Sequence, residues 1–330
     1  MGEGVREIMK QKIVTVFGGT GFIGRHVVRV LAQQGLQVRI ACRRPEEGLR
    51  CKPMGDVGQI VPVAANIRNK DSIAAVIGGS DAVINLIGIL YKRGPQNFDS
   101  IHIDGPLTIA SAASACGVRR LIHMSALGAD VKSDSEYARS KALGERAVKD
   151  AFPDCTVLRP SIVFGPEDDF FNQFAALARL LPALPVIGPK TKFQPVYVGD
   201  VASAVSACLA DFETSGLSYE LGGPSVYTFQ ELMEIMLAEI GRKRLLVPVP
   251  FWAATVKAFF LEHLRLPFFI PKPLLTRDQV RLLRYDNVVG INSLGIESLG
   301  VTPTPLYAVL PTYLNRYRRG KDVGQATRVN

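Results

Sequence analysis

A serine, a tyrosine and a lysine near the middle of the chain have the types and the order that proton transfer needs. The serine lies in "HMSA", and the other two lie four residues apart in "YARSK" (Ser125, Tyr137, Lys141). Residues at this spacing share one face of a helix. A lysine ammonium beside a phenol is expected to lower the phenol pKa, so that Tyr137 can exchange a proton with a substrate oxygen that Ser125 holds.

The stretch "FGGTGFIGR" contains three glycines at three-residue intervals (Gly18, Gly21, Gly24). It follows a predicted strand and opens a predicted helix, which is the context of a dinucleotide-binding loop. Glycines let the backbone approach a pyrophosphate, whose charge is stabilised by N–H groups at the start of the helix. A tight turn with a purely structural role is the alternative. The predicted cofactor-binding residues are Gly18, Thr20, Gly21, Phe22, Ile23, Gly24, Arg43, Arg44, Asn66, Tyr137 and Lys141.

Two arginines stand at the end of the second predicted strand, in "VRIACRRPEEG" (Arg43, Arg44). An acid there would accept hydrogen bonds from a free ribose 2′-hydroxyl and repel a 2′-phosphate. A guanidinium does the opposite, because its fork matches phosphate oxygens and stays charged. The arginines therefore predict NADP(H) rather than NAD(H), unless they are simply solvated. Asn66, at the end of the third predicted strand, could contact an adenine or serve as a turn residue.

Predicted strands and helices alternate six times between residues 12 and 165. Short apolar runs predict buried parallel strands, and apolar residues at helical spacing predict the helices between them. This alternation predicts an α/β fold, a Rossmann-type doubly wound parallel sheet with helices on both faces. The predicted helices span residues 22–34, 70–77, 106–116 and 137–150, and the predicted strands lie in 12–19, 36–42, 58–66, 81–90, 119–126 and 155–165.

The pattern loosens and prolines cluster after the last of these strands. We therefore expect a dinucleotide-binding domain at 1–165, which a later segment near 195–222 rejoins, and a smaller C-terminal domain at 166–330 for substrate or partner docking. Asp200 and Thr228 are expected to cap two helices of this second part, since each carries an oxygen that can accept an N–H of a first turn.

The chain has 330 residues, of which 47% are hydrophobic and 21% charged, an ordinary globular composition. Its five cysteines are scattered without metal-ligand spacing, so we expect reduced thiols and no metal site. The net charge of +9 comes from dispersed basic residues without an aromatic-basic RNA motif, so nucleic acid is not expected. An anionic cofactor and an anionic membrane or acidic partner surface account for the charge better. The N-terminus lacks the apolar region of a secretory signal and is too short and too acidic for a convincing mitochondrial presequence.

Together these motifs resemble the short-chain dehydrogenase/reductase superfamily, in its extended or atypical branch. The resemblance covers residues 12–245 and rests on "GGTGFIG", "VINLIGI", "HMSA", "YARSK", "LRPSIVFGP" and "QPVYVGDVA". It implies an NAD(P)-binding loop and a catalytic set made of Ser125, Tyr137 and Lys141. Many extended members carry N-V-x-G, and His102 stands where that asparagine supports the proton relay. A histidine there could relay protons, pack in the interior or face solvent.

Residues 97–148, 158–175 and 192–201 resemble more closely a family of accessory subunits of respiratory complex I and their bacterial relatives. This resemblance implies a tightly held NADPH without known substrate turnover. It also implies other subunits of the peripheral arm as partners and a place near the membrane. In a bacterium that place would be cytoplasmic, peripheral on the inner membrane, and in a eukaryote it would be the matrix side of the mitochondrial membrane.

Large apolar side chains are concentrated at 247–275, where charges and prolines leave no stretch long enough to span a membrane. Trp252, Phe259, Phe260 and Leu264 are predicted to form one stripe. It could belong to a core helix that covers the second domain, or it could face a membrane interface or a partner. The basic "LNRYRRGKD" near the end could be a solvated tail or contact an acidic protein or lipid surface.

Two functions are compatible with these observations. The first is an NADP(H)-loaded accessory or assembly subunit of complex I that turns nothing over. The second is an active NADP-dependent reductase, epimerase or dehydratase for a sugar nucleotide, an isoprenoid or a quinone precursor. The intact Ser125, Tyr137 and Lys141 favour the enzyme, whereas the long similarity and the aromatic-basic C-terminal region favour the accessory subunit, which we prefer.

Overall fold

A large parallel sheet with helices on both faces forms the centre of the molecule. The structure, a computed structural model, describes residues 12–92, 94, 96–263 and 275–318. The strands are β1 Ile13–Phe17, β2 Gln37–Cys42, β3 Ile60–Ala64, β4 Ala82–Asn85, β5 Arg120–Met124, β6 Thr156–Pro160, β7 Val163–Phe164, β8 Ala183–Ile187, β9 Lys192–Phe193, β10 Val196–Tyr197, β11 Ser218–Leu221, β12 Tyr227–Thr228, β13 Leu245–Val249 and β14 Leu294–Gly295. The α-helices are α1 Phe22–Gln33, α2 Pro45–Gly48, α3 Lys70–Ile77, α4 Gly105–Ala115, α5 Glu136–Ala151, α6 Phe171–Leu180, α7 Val198–Ala210, α8 Phe229–Glu239, α9 Phe251–His263, α10 Arg277–Leu282 and α11 Leu306–Leu314.

Eight strands form the large sheet in the order β14-β11-β6-β5-β4-β1-β2-β3, and each neighbouring pair runs parallel. The strand order reverses between β1 and β4. In open parallel sheets this switch point is where ligands bind, beyond the carboxyl ends of the strands. The predicted Rossmann-type doubly wound sheet is therefore confirmed, and its crevice lies at β1 and β4.

Two layers of helix cover the sheet, α1 and α7 on one face and α3, α4 and α5 on the other. Apolar residues at helical spacing point these helices toward the strands, as the sequence pattern predicts. The buried helical side chains include Val28 and Leu31 of α1, Val201 and Val205 of α7, Ile73 of α3, Ile109 of α4 and Val148 of α5.

Two strand boundaries differ from the prediction. The predicted strand at 81–90 ends early, because the Oδ1 of Asn85 accepts a hydrogen bond from the N–H of Ile87 at 3.1 Å and starts a turn. The prediction of one strand over 155–165 is wrong. Its first half, β6, joins the large sheet, while its second half, β7, pairs separately with β10.

The two predicted helix caps have opposite outcomes. Thr228 caps α8 in a reciprocal capping box with Glu231, as predicted. The prediction for Asp200 is wrong, because α7 begins at Val198 and places Asp200 inside its first turn. The carboxylate of Asp200 instead accepts hydrogen bonds from the N–H and the hydroxyl of Thr304, at 2.6 and 2.8 Å.

A second hydrophobic core lies outside the large sheet and contains side chains of α6, α8, α11 and β8. The later segment near 195–222 rejoins the large sheet: α7 packs on one of its faces and β11 pairs with β6. Beyond β11, the strand β14 extends the same sheet, which the sequence did not predict. The domain division at residue 165 stays a prediction. No helix among the described residues combines the length and apolar character that crossing a lipid bilayer requires.

Candidate dinucleotide and proton-transfer site

The three glycines of the loop between β1 and α1 have different structural roles. Gly18 has a φ of +79°, a conformation that favours glycine. A Cβ atom on Gly24 would lie 2.1 Å from the carbonyl oxygen of Gly18, so a side chain there would collide with the backbone. A Cβ atom on Gly21 would meet only that same oxygen, at 3.3 Å. Gly24 therefore allows the helix to pack on the loop, whereas Gly21 leaves open space in front of it.

That open space fits a pyrophosphate. Gly21 is the last residue before α1 and is exposed, and no side-chain hydrogen bond caps this helix. First-turn N–H groups and the positive end of the helix dipole therefore face the space that Gly21 leaves open. Thr20, Phe22 and Ile23, the other loop residues predicted to contact the cofactor, are partly buried.

The two arginines and the asparagine lie at the ends of the neighbouring strands. Arg43 and Arg44 directly follow β2 and are exposed, and the Nε of Arg44 lies 3.0 Å from the Oε1 of Glu47. Asn66 builds the turn that leads into α3, since its Oδ1 accepts a hydrogen bond from the N–H of Arg68 at 3.1 Å. These contacts support the turn role of Asn66 and leave the arginines beside the carboxyl end of β2.

Ser125, Tyr137 and Lys141 lie along β5 and α5. Ser125 directly follows β5, and its buried hydroxyl has no hydrogen-bond partner among the described residues. Lys141 is buried on α5, one turn after Tyr137, and its Nζ donates to the carbonyl oxygen of Met124 at 2.8 Å. The lysine therefore reaches the residue just before Ser125.

Burial dominates the electrostatics of this site. It raises the pKa of Tyr137 to about 12. It also lowers the pKa of Lys141 to about 8, against the weaker opposite effect of Glu145. The expectation that Lys141 lowers the phenol pKa is wrong for this structure, because burial disfavours the phenolate and the ammonium hydrogen-bonds a carbonyl oxygen instead.

His102 packs beneath Tyr137, with the two ring centres 5.4 Å apart. Its Nε2 accepts a hydrogen bond from the N–H of Ile89 at 3.0 Å, so the ring proton is on Nδ1, which lies 2.8 Å from the Oγ of Ser140. Burial, aided by the charge of Lys141, lowers the pKa of His102 to about 3. With both nitrogens engaged and protonation disfavoured, His102 is suited to packing rather than to proton relay.

Close packing of α5 on the segment around His102 depends on a glycine that sequence reasoning missed. A Cβ atom on Gly144 would lie 1.8 Å from the carbonyl oxygen of His102. The segment Asp99–Asp104, a π-helical turn that leads into α4, therefore lies directly against α5. Only glycine at position 144 permits this approach, which sets the distance between His102 and Tyr137.

Two residues of the C-terminal region also reach the site, and sequence reasoning missed both. Asp278 accepts hydrogen bonds from the N–H groups of Glu136 and Tyr137, at 2.8 and 3.0 Å. Asn287 accepts a hydrogen bond from the hydroxyl of Ser161 and donates one to the carbonyl oxygen of Leu127, at 2.7 and 3.1 Å. Their partners are more than a hundred residues away, so no local pattern indicates these contacts.

The aromatic side chains of α9 differ in burial: Phe251 packs against a small core, whereas Trp252, Phe259 and Phe260 are exposed. Trp252 is 73% and Phe260 59% exposed, while the buried face of the helix consists of Ala254 and Ala258. The core-helix interpretation is therefore wrong for these aromatic residues, and Leu264, the last residue of the predicted stripe, lies outside the described residues.

The basic stretch near the C-terminus is only partly described. Arg318 forms an ion pair with Glu239 at 2.5 Å, and Arg316 lies over the ring of Tyr317. These two arginines therefore belong to the folded part of the chain and are not simply a solvated tail. The remainder of the stretch, 319–322, lies outside the described residues.

Comparisons with known proteins agree with this geometry. Residues 14–222 match the NAD dependent epimerase/dehydratase family. The chain is 39% identical to the mitochondrial NADH dehydrogenase (ubiquinone) 1 alpha subcomplex subunit 9 of Arabidopsis thaliana, over 97% of this chain and 81% of that protein. It is 30% identical to a ceramide reductase of Caulobacter vibrioides, over 72% and 74% of the two chains. The triphenylmethane reductase of Citrobacter sp. shares the fold, with a TM-score of 0.74, 18% identity and coverage of 91% of this chain and 99% of that one.

Proposed function

The chain belongs to the NAD dependent epimerase/dehydratase family and, within it, to the group that includes alpha subcomplex subunit 9 of mitochondrial NADH dehydrogenase. On this basis we propose that it is an accessory or assembly subunit of respiratory complex I that holds NADP(H) as a structural cofactor. The similarity to the Arabidopsis thaliana subunit carries the proposal, because it extends over 97% of the chain and so includes the region after residue 222 where the family match ends.

The cofactor would lie across the crevice at β1 and β4. The open space at Gly21 would hold the pyrophosphate against the start of α1, and Arg43 and Arg44 would bind the 2′-phosphate that distinguishes NADP(H) from NAD(H). Tyr137 and Lys141 would contact the nicotinamide end. When bound, the cofactor supplies a hydride donor or acceptor.

The proton-handling groups favour retention of the cofactor over turnover. A phenol with its pKa raised to about 12 is a poor proton donor near neutral pH. The Nε2 of His102 accepts from the backbone N–H of Ile89, which does not pass on a proton, and burial lowers the pKa of the ring to about 3, so His102 is poorly suited to a relay. The hydrogen bond from Lys141 to Met124 holds the ammonium at the end of β5. These residues are suited to binding and orienting a dinucleotide.

The exposed face of α9 supports a docking role near a membrane. Trp252, Val256 and Phe260 are all more than half exposed, and Lys257 beside them is also exposed. Aromatic side chains together with basic ones suit the interface of an anionic membrane or a protein surface close to it. The protein would then be peripheral on the cytoplasmic side of a bacterial inner membrane, or on the matrix side in a mitochondrion.

Copurification tests the proposed function. Membranes are solubilised in mild detergent and separated on a native gel, and the protein is located with an antibody. We expect it to migrate with NADH dehydrogenase activity and to remain there after a high-salt wash of the membranes. Migration only at the mass of the free chain, in membranes where complex I is intact, would contradict the accessory role.

An active NADP-dependent reductase is the second candidate. The presence of Ser125, Tyr137 and Lys141 favours it, and a relative at 30% identity carries the name ceramide reductase. A lipid-like carbonyl compound, such as an isoprenoid or a quinone precursor, is then the substrate class to test first. NADPH oxidation that depends on such a compound and disappears in Tyr137→Phe would support the reductase function.

A further inference from the structure

Asp278 of α10 caps the helix that carries Tyr137 and Lys141. Its Oδ1 accepts a hydrogen bond from the N–H of Glu136 at 2.8 Å, and its Oδ2 accepts from the N–H of Tyr137 at 3.0 Å. The same Oδ2 accepts from the hydroxyl of Ser135 at 2.8 Å. The first two N–H groups of α5 are thus satisfied by a residue 142 positions away, and a negative charge stabilises the positive end of the helix dipole.

The carboxylate of Asp278 is directed to α5, although the residue lies in the first turn of its own helix. That helix, α10, already has a complete cap, since Thr276 and Gln279 form a reciprocal capping box. The N–H groups of both helices are therefore satisfied at the same time. Removing the carboxylate leaves the α10 capping box in place and deprives the N–H groups of Glu136 and Tyr137 of their acceptors. Within α10 it removes only the ion pair with Arg281, at 3.7 Å, and Ser135 still accepts from the N–H of Ala138 in α5.

The opposite side of the same segment is attached to α9. The N–H and the Nε of Arg277, the residue before Asp278, both donate to the carboxylate of Glu262 at 2.7 Å. The guanidinium of Arg277 also lies over the ring of Phe259, 5.2 Å from its centre. Two adjacent residues of α10 thus join the exposed aromatic helix to the first turn of α5.

A movement of α9 would therefore be transmitted to the turn that contains Tyr137. Val280 of α10 packs in the same small core as Ala254 and Ala258 of α9, so the two helices form one packed unit. On the side away from α9, α10 contacts α5 through Asp278, about one turn before Lys141. A packed unit with charge-assisted hydrogen bonds at each end is a physical connection of the kind that couples two sites.

We propose that Asp278 is a positioning residue that couples dinucleotide binding beside Tyr137 and Lys141 to the order of α9. The identity of the dinucleotide as NADP(H) rests on the proposed function, whereas the coupling does not depend on assembly with other subunits. Coupling is reciprocal, so a partner that holds α9 in place also strengthens dinucleotide binding, and loss of the dinucleotide weakens docking.

Hydrogen exchange of the full chain tests the coupling. Amide exchange in residues 251–263 is measured with and without saturating NADPH, and NADPH affinity is measured by titration. The chain has a single tryptophan, Trp252, so its fluorescence independently reports on α9. In the wild type we expect NADPH to slow exchange in α9 several-fold and to change Trp252 emission.

Asp278→Ala should bind NADPH roughly tenfold more weakly and lose the response of α9 at saturation. Asp278→Asn keeps one acceptor oxygen and should restore part of both effects, which a general loss of packing would not predict. Asp286→Ala is the matched control, because Asp286 lies in the same C-terminal region as Asp278 but accepts from the N–H of Lys192 in β9 and makes no such contact with α5. This control should respond like the wild type.

Two outcomes would overturn the proposal while leaving the proposed function intact. One is NADPH binding to the wild type with no change in α9. The other is an undiminished α9 response in Asp278→Ala and Asp278→Asn. Failure to copurify with complex I, with the α9 response preserved, would overturn only the accessory role. Failure of NADPH and NADH alike to bind the wild type would overturn both.

Discussion

Lys141 donates a hydrogen bond from its Nζ to the carbonyl oxygen of Met124 across 2.8 Å. This contact places a cation at the end of β5, next to Ser125, whose buried hydroxyl lacks a partner among the described residues. A buried polar group without a partner costs about 1–3 kcal/mol, so such groups are rare and call for an explanation. A ligand with hydroxyl or amide groups, such as the nicotinamide riboside of the proposed cofactor, would supply the missing partner.

Replacing both arginines after β2 should change cofactor preference. In the double variant of Arg43→Ala and Arg44→Ala, we expect NADPH affinity to fall by about 1.5–3 kcal/mol for each charge-assisted hydrogen bond lost. NADH affinity should change little, because NADH has no 2′-phosphate. Arg43→Ala should have the larger single effect, since Arg44 is also paired with Glu47. Titration with both cofactors measures this, and equal losses for the two would contradict the assignment.

Gly21 and Gly24 should give opposite results when substituted. Gly24→Ala brings a side chain onto the backbone of Gly18 and should lower the free energy of unfolding by about 1–3 kcal/mol or more without any cofactor. Gly21→Trp should lower the melting temperature of the cofactor-free protein much less, because its Cβ atom meets only the carbonyl oxygen of Gly18, at 3.3 Å, and the residue is exposed.

The effect of NADPH separates the two variants further. At a hundredfold excess over Kd, a ligand that binds only the folded state adds about 2.7 kcal/mol of stability. Melting curves of verified cofactor-free protein should therefore rise with NADPH in the wild type, and by less in Gly24→Ala, whose side chain displaces the backbone of Gly18 and Gly19. They should not rise in Gly21→Trp. A full NADPH shift in Gly21→Trp would place the pyrophosphate elsewhere.

Acid should destabilise the protein through His102. Its pKa is about 3 in the fold, against 6.5 as its ordinary value, so the unfolded chain binds a proton between these limits while the folded chain does not. The stabilisation is present above pH 6.5 and is lost as the pH falls toward 3. The loss is about 1.4 kcal/mol for each pH unit within this window.

His102→Asn isolates this contribution. The variant should be less stable at pH 7 because it loses packing against Phe98 and Tyr137, and its stability should fall less steeply in acid. The buried His123 stays in both proteins, and its pKa is lowered first by burial and then by Lys141, with His102 the smallest cause, so the difference between the two proteins reports mainly on His102. Urea unfolding of the wild type and of His102→Asn at pH 7 and pH 5 gives the comparison. If both proteins lose the same free energy of unfolding between these pH values, His102 is not the cause of the acid sensitivity.

The parts of the molecule that local patterns determine could be predicted from the sequence. The alternation of strand and helix, the glycine loop and the capping residue Thr228 depend on neighbouring residues only. Asp200 shows where such local patterns fail. Its residue type suits a helix cap, but it lies inside the first turn of α7 and accepts a hydrogen bond from Thr304, more than a hundred positions away.

The electrostatics and the C-terminal contacts could not be predicted in this way. The pKa of Tyr137 depends on how deeply the ring is buried and on the direction in which Lys141 points, neither of which follows from a spacing of four residues. The contact between Asp278 and α5 requires the chain to return to the sheet after the second core. Such long-range contacts follow from the packing of whole elements, and no motif of the sequence contains them.

Two variants expressed in a deletion strain distinguish most directly between a catalytic role and a structural role of the protein. Tyr137→Phe removes one hydroxyl whose absence leaves the packing of the ring against Phe98 and His102 in place. Gly21→Trp should remove the dinucleotide, and with it the proposed cofactor-dependent order of α9. For an accessory subunit, we expect Tyr137→Phe to restore complex I assembly and activity and Gly21→Trp to fail, with both proteins present at wild-type levels. If Tyr137→Phe fails while it folds normally and retains NADPH, the hydroxyl is required for turnover, and the protein is an enzyme.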